Sequence, residues 1–294
     1  MTWLEVSVRV NPEAAEAVAE VLSRYAPQGV AFDLGTDVDK VREVTVKAYM
    51  VVDDEIHTRR RQVEAALAHL SHIWSVIPEP AFREVVAQDW TAAWKEQIPV
   101  IHLGNRVVIK PSWRTYTAKE NEIVLEMDPG MAFGSGLHPT TQLCIAALED
   151  LVSPGMSVLD LGTGTGILAM VAARLGAHPI LAIDNDRDAV VAARRNIRAN
   201  QLSSEIAIRH GTHSDVAEAY DLVMANILTP VIVDMAESGL AERVQLGGAL
   251  VASGILDTQT EEVAEALQRA GLRVTGRRHQ DEWVALLAER PTFG

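Results

Sequence analysis

The sequence holds a single cysteine, Cys144, so it can form neither an intrachain disulfide nor a thiolate metal cluster, which fits a reducing cytoplasm. Inside an apolar helical stretch that thiol reads as a packed core residue rather than a nucleophile. No run of about 18 uncharged apolar residues, the minimum for a spanning helix, occurs anywhere, and Glu5 and Arg9 interrupt what would have to be the apolar core of an N-terminal signal peptide. The expectation is a soluble, non-exported, cytoplasmic protein with no membrane partner. Positive charge is short as well: 26 Lys and Arg against 40 Asp and Glu leave a formal net charge of -14. That balance repels phosphate backbones and argues against a direct grip on nucleic acid. It suits a basic protein partner, or serves solubility alone. Internal repeats and low-complexity stretches are also missing.

A chain of 294 residues exceeds one average domain, and two are expected. Leu4, Val6, Val8 and Val10 alternate with Glu5, Ser7 and Arg9, the period of a half-buried strand. Asn11-Pro12-Glu13 follows as a cap, a first-turn proline and an early acid. Strand-like Val30 to Leu34 and Val44 to Val52, a helix from about Thr58, and a strand from Phe82 to Val86 complete the order β-α-β-β-α-β. This is the ferredoxin-like arrangement, an α+β domain over residues 1–86. It carries no catalytic constellation, so partner recognition is its default role. Gln88 to Ile98 reads as a short helix with Trp90 and Trp94 four apart, an anchoring pair in a linker over 87–99.

From residue 100 to 294 the pattern changes. Val100 to Leu103 and Val107 to Lys110 flank Gly104-Asn105, a two-residue hairpin signal. After a glycine-rich loop and a helix from Pro139, strands and helices alternate regularly from Ser157 to Ala270, which demands a doubly wound, mainly parallel sheet. Arg273 to Arg278 and Glu282 to Leu287 then close the sheet as an antiparallel hairpin. The fold class expected is α/β, Rossmann-like, of the methyltransferase kind.

Gly162, Gly164 and Gly166 follow a strand and open a helix, where a sharp turn brings backbone close to a ligand. Asp184 ends the next strand about twenty residues on, placed to accept the ribose hydroxyls of an adenosine. Two cofactors compete here, because Gly164 to Ala169 also satisfies the dinucleotide pattern G-x-G-x-x-A. Three features favour S-adenosylmethionine: Asp160 before the glycines, able to order the loop and hold an ammonium; the position of the loop well inside the domain; and the terminal hairpin. As a purely structural group, Asp184 would be a strand-end or helix-capping acid before Asn185-Asp186.

Asp128 to Thr141, with Phe133, His138, Thr140 and Thr141 clustered among glycines and prolines, is the most unusual stretch. A hydroxyl in the first turn of the following helix can cap or reach a ligand, and His138 alone would serve equally as a packing residue. Asn226 follows a strand at the carboxyl edge of the sheet. Methyl transfer to an amine needs a neutral nitrogen with its lone pair aimed at the methyl carbon, and an asparagine oxygen can hold the amine hydrogens to that end. As a structural group Asn226 would be a turn residue. An adenine methyltransferase also uses an asparagine there, but Asn226-Ile227-Leu228-Thr229 lacks the prolines and aromatic that clamp a flipped base. A nicotinamide dehydrogenase and a silent binding module remain as further classes.

The run Asp128-Pro-Gly-Met-Ala-Phe-Gly-Ser-Gly-Leu-His-Pro-Thr-Thr, the loop Val158 to Ala169 and Ala225-Asn-Ile-Leu closely resemble the bacterial ribosomal protein L11 methyltransferase family, PrmA. Asp89-Trp90, Trp94, Pro111-Ser112-Trp113 and Glu282-Trp283 are similar to it too, whereas the first domain matches mainly in architecture. The resemblance implies that Thr141, Gly162, Asp184 and Asn226 contact S-adenosylmethionine, with Asp160, Thr163 and Gly164 completing the cofactor set and no metal required. It implies Asn226, Thr140, His138 and Phe133 as the residues of the transfer step. It further implies capture of ribosomal protein L11 by the N-terminal domain, trimethylation of that protein's N-terminal α-amine and lysine ε-amines, and swinging of the small domain about the Trp90 and Trp94 linker. A monomer is the default.

Overall fold

The computed structural model of the protein describes residues 2–26, 30–33, 44–70, 79–86, 100–128, 136 and 138–292. The linker over 87–99 with Trp90 and Trp94, and Phe133 of the glycine-rich loop, lie outside the described residues. Contacts divide the chain into one compact unit of Met1–Ile101, Lys110–Tyr116 and Met127–His138, and a second of His102–Ile109, Thr117–Glu126 and Pro139–Gly294.

In the first unit, β1 (Thr2–Val10), α1 (Pro12–Ser23), β2 (Val30–Asp33), β3 (Val44–Val51), α2 (Ile56–Leu70) and β4 (Ala81–Val86) follow one another. The side chain of Asn11 accepts from the amide of Ala14 at 2.9 Å and Pro12 begins α1, so cap and proline act as their types dictate. The sheet runs β2-β3-β1-β4, every neighbour antiparallel, which is the ferredoxin-like order. Leu4, Val6, Val8 and Val10 turn to one face and share a core with Val18 and Leu22 of α1 and Val63 and Leu67 of α2.

A three-stranded sheet follows, of β5 (Ile101–Leu103), β6 (Val107–Lys110) and β7 (Ile123–Glu126), its residues His102–Ile109 and Ile123–Glu126 belonging to the second unit. Its first connection takes three residues, not the expected two: the Glu149 carboxylate accepts from the amides of Asn105 and Arg106, both at 2.8 Å, and holds the wider turn. Then come α3 (Pro139–Leu151), β8 (Val158–Leu161), α4 (Ile167–Arg174), β9 (Ile180–Asp184), α5 (Arg187–Ala199), β10 (Ile206–His210), β11 (Tyr220–Asn226), α6 (Thr229–Glu237), β12 (Val244–Leu256), α7 (Thr260–Arg269), β13 (Arg273–Gln280) and β14 (Trp283–Glu289).

These strands form a seven-stranded sheet, β10-β9-β8-β11-β12-β14-β13. The first five are mutually parallel, and β14 is antiparallel to both its neighbours. Composition decides which arm of the final hairpin goes inside. Six of the seven residues of β14 are apolar and five are buried, whereas Arg273, Arg277 and Arg278 make β13 an edge strand that discourages further pairing. In β8 and β9 every residue is buried, as helices on both faces of a parallel sheet require. The chain winds from β8 through β9 to β10 in one direction and from β11 to β12 in the other. The reversal falls between β8 and β11, and ligands of such sheets bind outside the carboxyl ends of the strands at that point.

Candidate functional site

At the end of β8, Gly162 and Gly164 adopt φ +69° and +55°, and Gly166 caps α4 at φ +84°, all in the left-handed region that favours glycine. The amides of Gly162 and Thr163 both donate to the Ile183 carbonyl, at 2.9 and 3.1 Å, so the loop is folded back over β9. A β-carbon on Gly162 would overlap the Cγ2 of Ile227, the residue after Asn226. At Gly166 one would stand 3.3 Å from the β-carbon of Ala193, so the start of α4 comes close to α5 at this point. The Asn196 side chain adds a buried bond to the Thr165 carbonyl at 3.0 Å.

Two carboxylates bracket this loop. Asp160, in the middle of β8 and 1% exposed, accepts from the Thr163 hydroxyl at 2.7 Å through Oδ2. Its Oδ1 is buried with no hydrogen-bond partner among the described residues. Burial pushes its pKa up to about 6, opposed by the Thr163 hydroxyl and the Ala169 amide and reinforced by the Asp184 charge. An anion thus already occupies the N-terminal approach to α4, which disfavours a pyrophosphate there and favours a cationic donor. Asp184 ends β9 and is likewise buried. Its Oδ2 accepts from the Gly164 amide and its Oδ1 from the Asp186 amide, both at 2.9 Å. The capping of α5 falls to Asp186, whose side chain accepts from the amide of Asp188. Asp184 is therefore a crosslink between two loops, and each oxygen keeps capacity for another donor.

Across the switch point, Asn226 ends β11 in register with Ser253 of β12. The Ser253 hydroxyl donates to the carbonyls of Val284 at 3.2 Å and Thr140 at 3.5 Å, fixing the first turn of α3 over the sheet. Thr141, the next residue and 1% exposed, receives a bond from Asn226 Nδ2 at 3.4 Å. Neighbours on adjacent strands thus hold neighbours on one helix. His138 is buried, and burial drives its pKa down to about 4. It belongs to the first compact unit.

Thr140, Thr141, Asp160, Gly162, Thr163, Gly164, Asp184 and Asn226 consequently all stand at one edge of the second unit's sheet. Sequence reasoning passed over three residues that shape this edge. Gly254 is one: a β-carbon there would overlap the Ile227 carbonyl oxygen and lie 2.8 Å from its carbon. A lone glycine within an apolar strand pattern is the signal for such a close approach. Ser253 and Ile227 carried no signal of their own. Among the described residues no three His, Cys, Asp or Glu gather to hold a metal, and no helix is long and apolar enough to cross a membrane.

The family model of ribosomal protein L11 methyltransferase (PrmA) matches residues 2–291. A ribosomal protein L11 methyltransferase of Chloroflexus aurantiacus is 40% identical, the alignment covering 99% of this chain and 98% of that protein. One from Symbiobacterium thermophilum is 39% identical over 99% of this chain and all of its own. The crystal structure of a ribosomal protein L11 methylase from Lactobacillus delbrueckii subsp. bulgaricus superposes with a TM-score of 0.61 at 31% identity, covering 65% of this chain and 98% of that one. With a match that takes in the glycine loop, both carboxylates and Asn226 and extends almost from end to end, the chain belongs to the ribosomal protein L11 methyltransferase family.

Proposed function

We propose that this protein transfers methyl groups from S-adenosylmethionine to amines of ribosomal protein L11, its N-terminal α-amine and lysine ε-amines, each carried to the trimethylated state. The observation that carries the reading is the meeting of the Gly162 loop, Asp184 and Asn226 at the carboxyl ends of three adjacent parallel strands.

The residues suit that cofactor. Oδ1 of Asp160, buried without a partner, matches an ammonium, and Asp184, oriented by the Gly164 and Asp186 amides, matches a pair of ribose hydroxyls. Thr141, Gly162, Thr163, Gly164 and Asn226 complete the holding set. When bound, the cofactor supplies an electrophilic methyl group on a sulfonium. The protein's task is then to present a neutral amine. Asn226, with its amide nitrogen committed to Thr141, turns Oδ1 to the amine hydrogens and so directs the lone pair. Thr140, His138 and Phe133 complete the acceptor set. His138, with a pKa near 4 from burial, is neutral at pH 7. An α-amine of pKa about 8 needs little help in losing a proton; a lysine at about 10.4 needs desolvation.

In this reading residues 1–86 capture the ribosomal protein, 87–99 link, and 100–294 form the catalytic domain of a cytoplasmic monomer. Intact-mass analysis and peptide mapping of ribosomal protein L11 after incubation with S-adenosylmethionine test it. Methyl increments on the N-terminus and lysines are expected. Binding of S-adenosylhomocysteine without any increment would overturn the substrate; thermal stabilisation by NAD and not by S-adenosylhomocysteine would overturn the cofactor.

A further inference from the structure

Among the described residues four large apolar side chains stand exposed: Val191, Leu228, Val231 and Leu246. Two of them, Leu228 at 69% and Val231 at 45% exposure, lie within five residues of Asn226, with exposed Pro230 between them. Leu228 occupies the N-cap of α6 in extended conformation (φ -62°, ψ 142°) and makes no side-chain capping bond. Ser, Thr, Asp or Asn satisfies an orphan amide at such a position and leucine does not, so the fold gains neither a cap nor burial from this side chain. Leu228, Pro230 and Val231 thus leave apolar surface in water at the start of α6, beside the residue that ends β11.

Size limits the occupant. A stable contact with a second copy of the chain needs roughly 800 Å² from each partner, far more than three side chains at a helix start offer. The aliphatic stem of one long side chain does fit them, because a lysine buries its methylenes against apolar surface while its nitrogen stays with polar groups. Resting on the methyl-transfer reading above, we infer that Leu228, with Pro230 and Val231, is the rim that receives the methylene stem of a substrate lysine while Asn226 addresses its nitrogen. An N-terminal α-amine has no such stem, so the rim discriminates between the two kinds of acceptor.

The test is steady-state methylation of ribosomal protein L11, read separately at lysines and at the N-terminus, by the full-length wild type and by Leu228→Ser, Leu228→Met and Leu246→Ser. Leu246 serves as control: equally exposed, at 64%, it stands near the start of β12 and so toward the opposite edge of the sheet. Leu228→Ser is expected to raise KM at lysines about 3- to 10-fold, with kcat, α-amine methylation and stabilisation by S-adenosylhomocysteine unchanged. Leu228→Met restores KM, and Leu246→Ser leaves everything as in the wild type. An unchanged lysine KM in Leu228→Ser overturns the inference, and so does an equal loss at lysines and α-amine, which would make the rim a general protein contact. A wild type that methylates neither site refutes the underlying reading instead, and the rim with it.

Discussion

The side-chain nitrogen of Asn226, at the end of β11, donates to the hydroxyl of Thr141 in the first turn of α3 across 3.4 Å. The bond uses one of the two N–H groups of the amide and holds the side chain to α3, so that in the proposed reaction its oxygen addresses the amine. Asn226→Ala is expected to lower kcat on the order of 100-fold, the usual cost of a misdirected reactant. Thr141→Val, which keeps the shape and removes the hydroxyl, lowers it less, and Asn226→Ala leaves the melting temperature nearly unchanged because Asn226 is only half buried. Single-turnover rates separate this from a loss of cofactor affinity.

Gly254 governs the same loop from the other side. Its φ of +86° disfavours any side chain, and a β-carbon would press on the carbonyl carbon of Ile227 at 2.8 Å and its nitrogen at 3.1 Å. Backbone atoms cannot rotate away as a side chain does. Gly254→Ala is therefore expected to cost about 2–4 kcal/mol of stability. The matched control is Gly155→Ala, at the same φ with nothing within 4 Å, which costs only about 1 kcal/mol of backbone strain. Urea midpoints of the two variants isolate the contact with Ile227; equal losses would show that the contact carries no weight.

These loops mark the limit of what one sequence discloses. Period-two alternation in β1 and the Asn11-Pro12 cap made the first sheet legible, and the spacing of Asp160, the glycines and Asp184 made the folded-back loop after β8 legible, because each rests on local chemistry. Which arm of the final hairpin lies inside depends on a whole-sheet competition for burial, which β14 wins over the arginine-bearing β13. Ser253 and Ile227 act only through partners more than 25 residues away, such as Val284 and Gly162. The first turn of the 104–106 connection widened for a similar reason, a carboxylate arriving from α3.

Cys144 faces the interior of α3, fully buried, and burial raises its thiol pKa to about 12. Thiolate, the reactive form, is then both scarce and out of reach. A maleimide or disulfide reagent at neutral pH is expected to label the native protein only as fast as the second unit opens, and at once in denaturant. Rapid native labelling would contradict the packing of α3 on the sheet.

Asp160 and His138 make opposite contributions to stability in the same pH window. The carboxyl of Asp160 is raised to about 6, so between roughly pH 4 and 6 the folded state holds more protons than the unfolded chain and its stability falls as pH rises. The cost is on the order of 3 kcal/mol at neutral pH. His138 is lowered to about 4, so between that value and about 6.5 the unfolded chain holds more protons, and stability rises with pH by a similar amount. Urea unfolding of the ligand-free wild type reads the fall in the second unit, which holds Asp160, and the rise in the first, which holds His138. Asp160→Asn removes the fall and stabilises the second unit at pH 7; His138→Gln removes the rise. Asp160→Asn also removes a charge that an ammonium ligand uses only when ionised. Wild-type affinity for S-adenosylhomocysteine should accordingly weaken as pH drops through about 6, and the variant's should be weak and level. A variant that bound as tightly as the wild type at pH 7 would leave Asp160 a structural acid alone, ordering the loop through Thr163.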